Sequence, residues 1–104
     1  MTVREHLIAA RALVALGWCQ GADAKDADGR MVYAKDPAAS TWCVMGALRA
    51  ADPLWNSTFQ CAVDAFQSAA RLRRSSIAAW NDRPVTTQAY VLAVFDRAIA
   101  REAQ

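Results

Sequence analysis

The residues best suited to chemistry are one thiol, one imidazole, and a neighbouring amide and carboxylate. Cys43 comes shortly after two hydroxyl residues that suit the N-cap of a helix. A thiol in the first helical turn is stabilised as a thiolate by unbonded backbone N–H groups and by the helix dipole. With His6 as a base and Asn81 or Asp82 to orient it, the residue types of a cysteine-dependent enzyme are all present.

A structural role competes with this catalytic interpretation. A cysteine on an apolar helix commonly acts as a small buried hydrophobe. The only histidine, His6, lies in the first turns of a predicted helix, where helices fray. We favour packing for Cys43, keep it as the only weak candidate for a catalytic residue, and favour a non-enzymatic protein.

Metal binding fits the spacing poorly. The possible soft ligands are His6, Cys19, Cys43 and Cys61. They are far apart in the sequence and include no Cys-x-x-Cys pair, which structural zinc sites usually contain.

The run from Asp26 to Gly29 resembles the middle of a calcium-binding loop, but Ala24 and Lys35 occupy positions that need acidic ligands. We expect a turn there, no metal and no cofactor.

The Trp-Asn-Asp run at 80–82 lies between two predicted helices. Its amide and carboxylate can brace the turn through bonds to backbone groups, with Trp80 as an anchor in the core. The alternative is a polar pocket, shared with other tryptophans and the thiol, for a small ligand or a partner's side chain. The candidate binding residues are Trp18, Trp42, Cys43, Trp80, Asn81 and Asp82.

Arg71, Arg73 and Arg74 form a short basic patch that Arg97 and Arg101 could extend. The patch could contact phosphate or an acidic protein surface, but a solvated helix end is the favoured interpretation. The net charge of +2 is too balanced to indicate nucleic-acid binding.

Apolar residues at helical spacing predict four helices, at about 2–16, 37–51, 57–72 and 87–101, with one further helical turn at 77–80. The second helix could begin at Pro37 or, alternatively, after Ser40 or Thr41 as the N-cap. Asn56 or Ser57 can cap the third helix.

Between the first two helices, the Asp28-Gly29 turn signal and the strand character of residues 31–33 predict a short hairpin or an ordered loop. The predicted fold is therefore all-α or nearly so, a compact bundle of about four helices. The length of 104 residues fits one domain over 1–104.

No apolar run of about 18 residues indicates a membrane helix, and the first residues lack the apolar run of a signal peptide. Three widely spaced cysteines do not indicate a secreted disulfide framework. We therefore expect a cytoplasmic protein.

Three separated motifs support a resemblance. They are Gly17-Trp18 with Gln20-Gly21, Trp42-Cys43 before Gly46-Ala47-Leu48, and Trp80-Asn81-Asp82 before Thr87. From about Leu7 to Ile99 the chain resembles a family of small bacterial and bacteriophage proteins known only as a domain of unknown function. The resemblance implies no particular reaction. The family tends to carry Glu three residues after the helix-capping Thr, where this chain has Tyr90, so the reciprocal bond of a capping box is absent.

Two functions follow as hypotheses. The first is a small non-enzymatic protein-interaction module, for example a phage-encoded or accessory regulator or inhibitor of a host protein, acting as a monomer or homodimer. The second is a small-ligand-binding domain or cysteine-dependent enzyme centred on Cys43 with Asn81 and Asp82. An open polar pocket shared by these three residues would favour the second hypothesis.

Overall fold

A computed structural model describes residues 1–51 and 57–102 of the chain. These residues form five helices and three short strands. In chain order the elements are α1 (Val3–Leu16), β1 (Ala24–Lys25), β2 (Met31–Val32), β3 (Thr41–Trp42), α2 (Val44–Ala51), α3 (Ser57–Ala69), α4 (Ile77–Asn81) and α5 (Gln88–Arg101).

The prediction of an all-α bundle is wrong, because the strands form an antiparallel sheet in the order β2-β1-β3. Ala24 in the central strand lies opposite both Val32 and Trp42. The protein is therefore mixed α/β. The predicted hairpin between the first two helices is present as β1 and β2, whereas β3, at Thr41–Trp42, is predicted as part of a helix or its cap.

The second helix begins at Val44, later than either predicted start. Asp36 does open a turn, in which its carboxylate accepts a bond from the Ala38 N–H at 2.8 Å. The chain then leaves the helical path because the Ser40 N–H donates to the Lys25 carbonyl at 2.9 Å. Pairing with β1 thus takes the backbone groups that a longer helix would have used.

The third helix ends at Ala69, three residues before the predicted end. Arg71 adopts a left-handed conformation with φ of 59°, and its N–H donates to the Ser68 carbonyl. The Leu72 N–H donates to the Gln67 carbonyl at 3.1 Å. These two bonds define a Schellman ending. Both predicted caps, Asn56 and the Ser57 side chain, lie outside the described residues, as does Trp55.

Threonine side chains cap the two 14-residue helices, α1 and α5. Thr2 caps α1 and forms a complete capping box with Glu5. Thr87 caps α5 by accepting a bond from the Tyr90 N–H at 3.2 Å, without a reciprocal bond. The missing bond is the one that a Glu would make at position 90, where this chain departs from the family pattern with Tyr90.

The core lies where α1 packs against α2, α3 and α5, and α4 packs against α2. The Phe66 ring makes edge contacts with the rings of Trp80 and Phe95, at centroid distances of 5.6 and 4.7 Å. Trp80 also contacts Tyr90 at 5.3 Å. These contacts fix α4 against the core and thereby position the residue that ends it, Asn81.

Candidate functional site

Asn81 is fully buried and uses all four of its hydrogen-bonding positions. Its Oδ1 accepts bonds from the Trp18 indole N–H at 2.9 Å and from the Val44 backbone N–H at 3.2 Å. Its Nδ2 donates to the Cys19 carbonyl and to the Asp82 carboxylate, both at 3.1 Å. One side chain thus joins the segment after α1, the start of α2 and the end of α4.

Two neighbouring side chains strengthen the same connection. Gln20 Nε2 donates to the backbone carbonyls of Asn81 and Arg83, both at 3.0 Å. The Asp82 carboxylate accepts a bond from the Gly21 N–H, also at 3.0 Å. We call Trp18, Gln20, Asn81, Asp82 and the first residues of α2 the Asn81 junction. Sequence reasoning included Gln20 in a motif but did not propose it as a site residue.

Cys43 is the N-cap of α2 and does not lie inside its first turn. Its Sγ accepts a bond from the Gly46 N–H at 3.3 Å and lies 4.0 Å from Asp23 Oδ1. Burial raises the pKa of the Cys43 thiol to about 11, helped by the charge of Asp23 and opposed by the Gly46 bond. The thiol is therefore protonated near neutral pH and is a poor nucleophile.

His6 lies at the opposite end of α2 from Cys43. Its Nε2 is 2.8 Å from the Leu48 carbonyl, and its Nδ1 is 3.1 Å from the Thr58 hydroxyl. Because a carbonyl only accepts, Nε2 carries a proton and donates it to this bond. The thiol and the imidazole therefore form no nucleophile–base pair.

A cavity of about 180 Å³ opens beside Cys43. Its lining residues are Gly21, Ala22, Asp23, Cys43, Ala78 and Asp82. It is smaller than typical ligand pockets, which measure roughly 300–1,000 Å³. Asn81 does not line it, so the structure does not form the pocket shared by Cys43, Asn81 and Asp82. Across residues 1–51 and 57–102, no group of three potential metal ligands is positioned to hold an ion.

Gly46 allows the segment before β1 to lie directly against α2. A Cβ at this position would lie 1.8 Å from the Asp23 carbonyl oxygen. The Cys43 N–H donates to that same oxygen at 3.1 Å. The Asp23 carboxylate forms an ion pair with Arg49, with both oxygens 2.8 Å from Nη1. The close neighbour of Gly46 is therefore this loop backbone and not another helix.

The remaining predicted site residues are dispersed. Trp42 is buried and donates its indole N–H to the Ala34 carbonyl at 3.0 Å, away from Asn81. Trp80 is buried in the aromatic core. Arg71, Arg73 and Arg74 are exposed beyond the end of α3. The structure therefore brings Trp18, Cys43, Asn81 and Asp82 together, whereas the side chains of Trp42 and Trp80 make their contacts elsewhere.

The fold and the Asn81 junction define a small α/β domain in which one asparagine connects three segments. A family model matches residues 1–101, and the chain therefore belongs to the DUF6197 family, a family of unknown function. This match confirms the predicted membership of a family of unknown function. Neither the curated proteins nor the solved structures gave a match to this chain. None of the described helices is long and apolar enough to cross a membrane.

Proposed function

We propose that this protein is a non-enzymatic module that binds another protein through the surface around β2. The observation that carries the proposal is the exposure of Met31 and Tyr33, which are 73% and 87% accessible to solvent. Methionine and tyrosine are enriched in protein interfaces. Met31, Val32 and Tyr33, with the grooves on either side of Tyr33, are called the β2 surface below.

Two grooves flank Tyr33. The larger, of about 470 Å³, is lined by Ala22, Asp23, Met31, Val32, Tyr33 and Asp36. The smaller, of about 290 Å³, is lined by Asp23, Tyr33, Ala34, Lys35 and Arg49. Asp23 lines both grooves, and its ion-pair partner Arg49 lines the smaller one. Apolar walls with a few charged groups suit side chains of a partner protein.

The backbone of β2 also faces outward, because β2 is an edge strand. The Asp26 N–H donates to the Arg30 carbonyl, which makes this a hydrogen-bonded pair of the antiparallel ladder. Such pairs alternate, so Lys25 and Met31 form the next, non-hydrogen-bonded pair. The Met31 N–H and carbonyl therefore point away from β1, where an extended segment of a partner could pair with them.

The state of the thiols supports a reducing compartment such as the cytoplasm. Cys19, Cys43 and Cys61 are all free. Proteins of oxidising compartments commonly pair their cysteines in disulfides. Because the Cys43 thiol is protonated and has no imidazole partner, we do not propose an enzyme.

The proposal is tested by capture experiments with matched variants. The double variant Met31→Ala/Tyr33→Ala removes the two exposed side chains, and Val85→Ala removes a similarly exposed side chain elsewhere, 78% accessible. Wild-type protein and Val85→Ala should retain the same protein from a bacterial lysate, and the double variant should retain at least about tenfold less. Equal retention by the double variant, or no specific retention by wild type, would refute the proposal.

Light scattering on the same three proteins tests whether the partner is a second copy of the chain. Self-association that disappears only in the double variant would identify a homodimer. A monomer in all three cases leaves a different protein as the partner.

A further inference from the structure

We propose that an arginine cluster beside the end of α3 binds an acidic segment of a partner protein. The cluster consists of Arg71, Arg73 and Arg74, in the turn after α3, and Arg83, in the loop after α4. Arg83 belongs to it because its Nη2 donates to Ser75 Oγ at 2.8 Å, within the same turn. This surface is distinct from the β2 surface, and the inference does not depend on that surface being used.

The charges of the cluster are not compensated by acidic side chains. All four arginines are exposed, and within residues 1–51 and 57–102 none of them has an ion-pair partner. Elsewhere in the same part of the chain, Arg11 pairs with Asp96 at 2.6 Å. The cluster can therefore bind an external anion without first breaking an internal ion pair.

The end of α3 does not require these side chains. Its last four carbonyls belong to Phe66, Gln67, Ser68 and Ala69. The first three accept bonds from the backbone N–H groups of residues 70, 72 and 71, and the Ala69 carbonyl accepts one from Arg97 Nη1 at 2.8 Å. A cationic side chain near a helix end is often explained by such unbonded carbonyls. Here they already have partners, so capping does not account for the cluster.

The backbone of Arg71 provides a second, independent observation. With φ of 59°, it is the only residue other than glycine in the left-handed region among the described residues. Glycine usually fills this position of a Schellman ending, because a Cβ is strained there. Strained positions that persist are often functional. An arginine at a position that favours glycine therefore indicates a use for its guanidinium group.

A short acidic protein segment fits this cluster better than a nucleic acid. The guanidinium group forms two parallel bonds with a carboxylate or a phosphate, so the choice between them rests on where the positive charge lies. From Arg71 onward the chain has six basic and three acidic residues, whereas residues 1–70 have six basic and seven acidic ones. The excess positive charge is therefore local, and a long polyanion would also meet a slightly acidic remainder.

Fluorescence anisotropy with a labelled peptide of about ten glutamates tests the inference on the intact protein. The peptide should bind, and added salt should weaken the binding, since exposed charges are screened. Arg73→Gln/Arg74→Gln should weaken binding by about tenfold, and Arg71→Gly by about threefold, as expected for exposed ion pairs. Arg4→Gln, which removes an exposed arginine on α1, is the matched control and should bind like wild type.

Arg71→Gly separates function from stability. It should raise the melting temperature, because it relieves the left-handed strain, and yet weaken peptide binding. Wild-type affinity in Arg71→Gly, no binding by wild type, or tighter binding of an oligonucleotide of about ten nucleotides would each overturn the inference. Met31→Ala/Tyr33→Ala should bind the peptide as wild type does. The peptide experiment therefore tests the arginine cluster alone, and its result does not depend on whether the β2 surface binds a partner.

Discussion

The Asn81 junction and the β2 surface differ in how their polar and apolar groups are satisfied. At the junction, Asn81 makes four internal hydrogen bonds, and next to it Cys43 caps α2. On the β2 surface, Met31 and Tyr33 expose most of their side chains, and the outer edge of β2 faces solvent. The amide and the thiol, whose chemistry is most familiar, therefore hold the fold together. The side chains of Met31 and Tyr33, which suggest no reaction, are exposed to solvent.

This difference shows why residue type alone is a poor guide to function here. A thiol, an amide and an imidazole are reactive or adaptable groups, but each has its bonding positions occupied from within the chain. Among the described residues, no buried side-chain nitrogen or oxygen lacks a hydrogen-bond partner. Substitutions at the junction should therefore change stability, and substitutions on the β2 surface should change binding.

Asn81→Ala should have the largest effect. It leaves the Trp18 indole, the Val44 N–H and the Cys19 carbonyl without their partner inside the protein. Each buried group left unpaired costs roughly 1–3 kcal/mol, so we expect a loss of about 4 kcal/mol or more. Urea unfolding followed by tryptophan fluorescence measures this loss. A change below about 1 kcal/mol would show that the junction is not a structural brace.

Gly46→Ala should cost about 3 kcal/mol, because the added methyl overlaps the Asp23 carbonyl and a backbone segment must move. Gly29→Ala is a suitable control. Its Cβ would meet nothing within 4 Å, and only the φ of +81° opposes it. That strain costs about 1 kcal/mol. Equal losses in urea unfolding for the two variants would contradict close packing at Gly46.

The sequence was sufficient to predict the long helices and, as an alternative to an ordered loop, the hairpin of β1 and β2, but not β3, which completes the sheet. The spacing of apolar residues is a local signal, and it located α1 and α5 within one residue. The sheet depends on bonds between residues distant in sequence, such as the bond from Ser40 to the Lys25 carbonyl. The first residues of the segment 37–43, Pro-Ala-Ala, suit the start of a helix, but Thr41 and Trp42 are residue types enriched in strands, and the distant bonds fix them as β3.

For the candidate site, the sequence indicated a structural role for one motif but not the residues that it would contact. The motif Trp80-Asn81-Asp82 and its position between helices indicated a brace, but its bonding partners depend on tertiary structure. The protonation state of Cys43 depends on burial and on Asp23, twenty residues away in sequence. The left-handed backbone of Arg71 was also hidden, because glycine is the residue that signals such a position.

The raised pKa of Cys43 predicts a loss of stability in alkaline solution. The folded thiol holds its proton up to about pH 11, whereas the unfolded thiol loses it near its ordinary pKa of 9.0. Its contribution is therefore fully present below pH 9.0 and is lost as pH rises towards 11, by up to about 2–3 kcal/mol. Urea unfolding at several pH values in this window measures the loss.

Cys43→Ala should remove this part of the pH dependence, and at neutral pH it should cost only about 1 kcal/mol for the lost cap. The raised pKa of Cys19 is common to both proteins and cancels in the difference. Iodoacetamide should alkylate the exposed Cys61 and spare Cys43 in the folded protein. Rapid alkylation of Cys43 near neutral pH would reopen the catalytic interpretation.

Tyr33→Ala should have the smallest effect on stability, within about 0.5 kcal/mol, because a side chain that is 87% exposed loses little packing when it is truncated. Urea unfolding of Tyr33→Ala alongside Asn81→Ala compares the two regions directly. A loss at Tyr33 comparable with that at Asn81 would mean that the β2 surface is a structural part of the domain, and the division between brace and binding surface would be wrong. A small loss of unfolding free energy in Tyr33→Ala, together with weaker capture of a partner, would show that Tyr33 serves binding and Asn81 serves stability.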